Sequence, residues 1–139
     1  MIGVGNAARG DDAAGLLAAR RLGGIELEGD PSALLELLHG VPSAVVIDAV
    51  RSGAPPGTIH RFDATEEPLP ASVRSSSSTH AVGVAEAIEL ARTLGRLPAH
   101  VIVYGIEGAQ FEAGARLSDP VVIAIDEVVL LAGGARGGP

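Results

Sequence analysis

The chain has 139 residues, of which 47% are hydrophobic, and carries a formal net charge of −7 without any cysteine. This length is sufficient for one domain with a hydrophobic core, and the absence of cysteine excludes disulfides, thiolate metal ligands and a catalytic thiol. All 10 basic residues are arginines that form no basic stripe, so we expect no nucleic-acid partner. Since no apolar run approaches the roughly 18 residues of a membrane span and no signal-peptide pattern follows Met1, the sequence predicts a cytoplasmic protein without a membrane partner.

Strands and helices are predicted to alternate along the chain. The predicted strands cover residues 2–5, 25–28, 43–50, 58–62 and 99–106. The predicted helices cover residues 12–22, 31–38, 79–94 and 119–131. Asp30 is the expected N-cap of the second helix and Ser118 that of the last. Residues 1–132 are predicted to form a single α/β domain, and residues 133–139 a flexible C-terminal tail.

Connection lengths predict that one strand runs against the others. Only about seven residues, 51–57, join the third strand to the fourth, whereas a parallel crossover needs about a dozen or more. The fourth strand, at residues 58–62, is therefore expected to be antiparallel. The long connection 63–78 then returns the chain to the carboxyl edge of the sheet. The predicted fold is a three-layer α/β/α arrangement around a mixed five-stranded sheet.

Three ionisable residues are expected to meet at the carboxyl edge of this sheet. Asp12 follows the first strand, Asp48 lies near the end of the third strand, and His80 is at the start of the third helix. Ligands bind at this edge in open α/β sheets, and two carboxylates with one imidazole can bind a transition metal such as nickel or zinc. Asp48 is the most informative of the three, because aspartate is disfavoured in strands and a buried carboxylate is costly.

Structural interpretations of these residues remain open. Asp11 can cap the helix that it precedes while Asp12 points into the cleft. Asp48 can be held by neighbouring loop amides, and His80 can be an exposed or capping histidine. Glu107 follows the fifth strand and is a lesser candidate for the rim of the cleft. No role is predicted for the other histidines, His39, His60 and His100.

A nucleotide-binding loop is the main competing interpretation of the N-terminal segment. Residues 3–8, Gly-Val-Gly-Asn-Ala-Ala, fit a dinucleotide fingerprint with alanine in its last position, and Glu26 or Glu28 follows about 20 residues later. Asp11 and Asp12 oppose this interpretation, because they stand where a pyrophosphate would approach the helix and carboxylates repel phosphate. A non-catalytic Rossmann-like nucleotide-binding module nevertheless remains an alternative.

The N-terminal motif Gly3-x-Gly5-Asn6-x-x-x-Gly10-Asp11-Asp12-x-x-Gly15 resembles the opening signature of the hydrogenase maturation endopeptidases. The resemblance extends over nearly the whole chain. It continues through residues 47–49, 54–59, 79–80, 103–107 and 117–118. It implies a mixed five-stranded sheet with an antiparallel fourth strand, which agrees with the expectation from connection lengths.

The resemblance also implies an activity. Members are nickel-dependent peptidases that remove a C-terminal extension from the large subunit of [NiFe] hydrogenase. By position, Asp12, Asp48 and His80 correspond to the nickel-contacting residues, and we expect the same three to be catalytic. The nickel is expected to be carried by the [NiFe] hydrogenase large-subunit precursor, so the isolated protein is expected to be largely metal-free. The sequence assigns no general base.

Two positions depart from the family pattern. Ala13 stands where many members have glycine, which affects the start of the helix. Only Met1 and Ile2 precede the first glycine, whereas members usually carry several apolar residues there. The short first strand keeps a further alternative open, in which a degenerate member docks on a metalloprotein without cleaving it.

Overall fold

The computed structural model of the chain describes residues 1–70 and 83–136. Its sheet contains five strands, β1 (Ile2–Gly5), β2 (Ile25–Glu28), β3 (Ser43–Val50), β4 (Ile59–Asp63) and β5 (His100–Glu107). Their order is β2-β1-β3-β5-β4, and all neighbouring pairs are parallel except β4 with β5. This confirms the predicted mixed sheet with an antiparallel fourth strand.

Four helices cover the sheet. They are α1 (Ala14–Arg21), α2 (Leu34–Leu38), α3 (Val84–Thr93) and α4 (Asp119–Arg136). Short 3-10 turns, Gly10–Ala13 and Pro31–Ala33, occupy the first residues of the two N-terminal helices that the sequence predicts. Asp30 accepts a hydrogen bond from Ser32 N at 2.9 Å, as its predicted N-cap role requires. None of the helices in the described ranges has the length and apolarity needed to cross a lipid bilayer.

Alternating side chains of β3 and β5 divide the core between the two faces of the sheet. One face packs against α2 and α3 and includes Val46 and Val103. The other face packs against α1 and α4 and includes Ile47 and Tyr104. The sheet therefore lies between two helical layers, and Asp48 has the same parity as Val46, which places it on the α2 and α3 face.

Glycines allow α1 and the turn before it to lie directly on the sheet. A Cβ atom at Gly15 would overlap the backbone oxygens of Val4 and Ile47, and one at Gly5 would overlap the backbone oxygen of Asp12. Close backbone approach therefore requires glycine at both positions. This contact fixes the height of Asp12 above the sheet, and it gives Gly5 a packing role independent of any nucleotide.

The C-terminal helix begins at Asp119 as predicted but extends further than predicted at its other end. It continues past residue 131 to Arg136, because Ala132 is buried and Gly133 lies beside the side chain of Leu22 at the end of α1. Residues 133–136, predicted to belong to the tail, are thus helical, and residues 137–139 lie outside the described ranges. At its start, the backbone oxygen of Ser118 accepts from Val121 N and Val122 N, and the hydroxyl of Ser118 donates to Asp11.

Candidate functional site

Asp12 and Asp48 are both buried at the carboxyl edge of the parallel strands. Asp12 is 6% exposed and lies in the 3-10 turn between β1 and α1, while Asp48 is 3% exposed near the end of β3. The register of β1 with β3 pairs Gly3 with Ile47, so Asp48 lies level with the last residues of β1. The backbone oxygen of Asp12 accepts from Asn6 N, which directly follows β1, at 3.2 Å. The structure thus places both carboxylates at the edge that the sequence predicts.

A small pocket with largely hydrocarbon walls adjoins Asp48. It lies between the sheet and the start of α3. Its lining consists of Asp48, Val50, Phe62, Leu69, Val84, Ala85, Val103 and Gly105. A buried carboxylate at the border of an apolar pocket is more typical of a binding or catalytic site than of packing.

The third predicted ligand, His80, lies outside the described residues. Within residues 1–70 and 83–136, no cluster of three or more histidine, aspartate or glutamate side chains could hold a metal ion. The helix predicted over residues 79–94 begins at Val84, which lines the Asp48 pocket, and Gly83 before it is extended, while residues 79–82 lie outside the described ranges. The set of Asp12, Asp48 and His80 therefore stays a prediction, of which the structure places two members.

Asp11 does not cap α1 as predicted. It is fully buried, and its carboxylate accepts hydrogen bonds from Ala109 N at 2.8 Å and Gln110 N at 2.9 Å. The backbone N and the hydroxyl of Ser118 each donate to it at 2.7 Å. Burial alone would raise the pKa of Asp11, but these donors outweigh burial and hold the pKa below its ordinary value. The carboxylate faces the β5–α4 loop because that loop supplies the donors that a buried charge requires.

Glu107, a predicted rim residue, is instead a buried structural carboxylate. It is 1% exposed and accepts from the backbone N of Ser52 at 2.9 Å and from its hydroxyl at 2.6 Å. His60 Nε2 lies 3.1 Å from the same carboxylate. Burial would raise the pKa of Glu107, but the contacts with Ser52 and His60 prevail and lower it. Glu107 therefore joins β5 to the β3–β4 connection.

An aromatic contact between distant loops was not visible in the sequence. Arg9 Nε donates to the backbone oxygen of Phe111 at 3.1 Å, and the guanidinium of Arg51 stacks over the Phe111 ring at 4.3 Å. Phe111 is buried, so the two arginines fix its loop against the N-terminal segment and the end of β3. No local pattern reveals such a contact, because its members are far apart in the chain.

Comparisons with known proteins agree with this geometry. Residues 29–133 match the model of the hydrogenase maturation protease family. The hydrogenase expression/formation protein HupD of Thiocapsa roseopersicina is 29% identical over 122 residues, which is 81% of this chain but only 55% of that protein. The chain thus spans about half the length of this curated relative.

Solved structures show the same architecture. The [NiFe] hydrogenase maturation protease HybD from Thermococcus kodakarensis superposes with a TM-score of 0.76 at 29% identity, over 96% of this chain and 95% of that one. The endopeptidase HycI from Escherichia coli gives a TM-score of 0.70 at 23% identity, over 98% and 89% of the two chains, and supports the fold alone. Fold and site define an α/β protein with buried carboxylates at the strand ends. The chain belongs to the hydrogenase maturation protease family.

Proposed function

We propose that the protein is an endopeptidase that removes the C-terminal extension of a [NiFe] hydrogenase large-subunit precursor after nickel insertion. The observation that carries this proposal is the burial of Asp12 and Asp48 at one edge of the sheet, in a chain of the maturation protease family. Two oxygen donors at that edge are suited to a divalent ion presented by a docking protein.

Nickel belongs to the substrate in this proposal. Asp12 and Asp48 supply carboxylate oxygens and His80 supplies an imidazole nitrogen, so that the ion bridges protease and precursor. A precursor without nickel lacks this bridge and does not dock, which makes processing a check on metal insertion. Nickel held by Asp12, Asp48 and His80 would supply Lewis-acid polarisation of the scissile carbonyl or of a water molecule, and a carboxylate at this edge could act as the base. The open coordination positions leave the isolated protein largely metal-free.

The position of α3 supports the inclusion of His80. Val84 is the first residue of α3 and lines the Asp48 pocket. His80 precedes Val84 by only four residues in the sequence, and this proximity supports its inclusion.

Intact-mass spectrometry of a nickel-loaded precursor tests the proposal. We expect the wild-type protein to release one C-terminal peptide, and only from precursor that contains nickel. Asp48→Asn should slow release by at least about 100-fold, because it removes a charged contact that acts at the reacting centre. Asp126→Asn is the matched control, since Asp126 is an exposed carboxylate of α4 that pairs with Arg21 at the end of α1.

Absence of cleavage by a folded protein with the correctly matched precursor would contradict the endopeptidase assignment. Nickel-dependent binding without cleavage would then identify a docking member of the family. Saturable binding of NAD or ATP would instead favour the nucleotide-binding module. Equal cleavage by wild type and Asp48→Asn would retain the peptidase but reject Asp48 as part of its site.

A further inference from the structure

All four donors to the Asp11 carboxylate belong to the β5–α4 loop, residues 108–118. We propose that Asp11 is a positioning residue, which fastens the turn carrying Asp12 to this loop and thereby fixes the direction of the Asp12 side chain. The catalytic part of this inference rests on the proposed function. The structural part does not, because it concerns only how one buried carboxylate orients its neighbour.

The turn and the loop are joined in both directions. While the Asp11 carboxylate accepts from the loop, its backbone N donates to Gln110 O at 2.7 Å. Gly114 N donates to Ala8 O at 2.8 Å. Gly10 has a φ of 55°, and a Cβ atom there would overlap Gln110 O, so the chain passes too close to the loop for any other residue. Such reciprocal contacts leave the turn little freedom to rotate.

Rotation of the turn decides where Asp12 points. In a 3-10 helix successive side chains are separated by about 120°, so a side chain fixed at one position sets the direction of the next. The backbone of Asp12 is bonded to Arg9 O and Asn6 N, which both precede it in the chain. The Asp11 carboxylate adds hydrogen bonds from the β5–α4 loop, which belongs to the C-terminal half of the chain. Asp12 is thereby held between the end of β1 and the β5–α4 loop.

Glu107, a second buried carboxylate in the fold, provides a matched comparison for Asp11. Glu107 is also buried and also accepts a backbone N and a serine hydroxyl, but it holds Ser52 in the β3–β4 connection. Replacement of either carboxylate by the corresponding amide removes acceptors and introduces an NH₂ group that faces other donors. Both changes weaken a loop, but only the change at Asp11 should be felt at Asp12.

Amide hydrogen exchange of Asp11→Asn tests this inference without a substrate. We expect exchange to accelerate by at least about tenfold at Ala109, Gln110 and Ser118, and by a similar factor at the Asp12 amide, since these groups open together. Amides of β3 and β5 should keep their wild-type rates. Glu107→Gln should leave the Asp12 amide unchanged. Wild-type exchange at Asp12 in Asp11→Asn would overturn the assignment.

Kinetics provide the second measurement. If the wild-type protein cleaves the precursor, Asp11→Asn should lower kcat by about 10- to 100-fold with little change in KM, because a misdirected group near the reacting bond costs rate more than binding. An unchanged kcat in a folded variant would overturn the positioning role. If the wild type does not cleave, the proposed function fails and the exchange data alone decide the role of Asp11.

Ser118→Ala is the milder variant to use if Asp11→Asn does not fold. It removes only the hydroxyl donor at 2.7 Å and keeps the three backbone donors. We expect the same pattern of exchange with a smaller amplitude, again including the Asp12 amide. Faster exchange confined to residues 108–118 would show that the loop is stabilised without consequence for Asp12, and would reject the proposal.

Discussion

Buried carboxylates fall into two groups at the residue scale. Asp11 and Glu107 accept several hydrogen bonds from backbone N–H groups and serine hydroxyls, and both have a lowered pKa. Asp12 and Asp48 lie at the strand ends, and Asp48 adjoins a pocket with apolar walls. A buried carboxylate beside an apolar pocket is more typical of binding and catalytic sites than of packing. The first group holds the loops around the edge of the sheet at which Asp12 and Asp48 lie.

Replacement of Glu107 by glutamine should reveal its contribution to stability and the pH dependence of that contribution. We expect a loss of about 1–3 kcal/mol at pH 7, because the amide leaves donors on Ser52 and His60 poorly satisfied. The folded-state pKa of Glu107 is lowered, so its stabilisation is complete above the unfolded pKa of about 4.3 and disappears as the pH falls through the folded pKa.

Urea denaturation of wild type and Glu107→Gln across a pH series measures this difference. The difference in unfolding free energy should be constant near neutral pH and should narrow below about pH 4. A difference that stays the same down to pH 3 would contradict the assignment of the stabilisation to the ionised carboxylate. His60→Gln in both backgrounds is the control for the contact between His60 Nε2 and the Glu107 carboxylate.

At the scale of elements, local pattern was sufficient for the strands and insufficient for the loops. The bounds of β1, β2 and β3 match their predictions, those of β4 and β5 each lie one residue later than predicted, and the direction of β4 follows from the length of its connection. The partner of Asp11 does not follow from any local signal, because Ser118 is 107 residues away. The extension of α4 through Gly133 was missed because its packing partner, Leu22, is equally distant in sequence.

Close packing of α1 on the sheet makes Gly15 intolerant of substitution. Gly15→Ala should destabilise the protein by about 1–3 kcal/mol or more, because the added methyl group would overlap the backbone of Val4 and Ile47, which cannot rotate away. Gly134→Ala is the matched control. It lies in α4 with open space around it, and we expect a gain of up to about 1 kcal/mol from helix propensity.

Thermal or urea denaturation of the two variants distinguishes packing from propensity. A loss of unfolding free energy in Gly15→Ala together with a gain in Gly134→Ala would support the steric explanation. A neutral Gly15→Ala variant would show that α1 can move away from the sheet, and that the height of Asp12 is less tightly set than the structure indicates.

At the scale of the whole molecule, the site depends on topology more than on any one motif. Parallel β1 and β3 bring Asp12 and Asp48 to one edge, β4 runs antiparallel away from that edge, and α3 begins beside it, where Val84 lines the Asp48 pocket. The two aspartates could be selected from sequence because strand ends in a parallel sheet share a side. The histidine remains a prediction that only experiment can place.

Simultaneous replacement of Asp48 and His80 tests whether they act together on nickel. We expect Asp48→Ala with His80→Ala to weaken binding of nickel-loaded precursor by at least about tenfold, while binding of nickel-free precursor stays at its low wild-type level. Titration calorimetry or surface-immobilised precursor measures both. His39→Ala, which removes an exposed histidine, is the control. Undiminished nickel-dependent binding by the double variant would contradict the assigned metal contacts.

The fastening of residues 108–118 to the N-terminal turn has a consequence for recognition. The loop 108–118 is held by reciprocal contacts with the N-terminal turn and is therefore preorganised. A preorganised surface loses little conformational entropy when a partner docks. In the proposed reaction, the ordering then falls on the flexible C-terminal extension of the precursor. Selectivity among precursors would accordingly depend on how readily each extension becomes ordered along the rigid loop 108–118. Shortening an extension should therefore change the entropy of association more than its enthalpy.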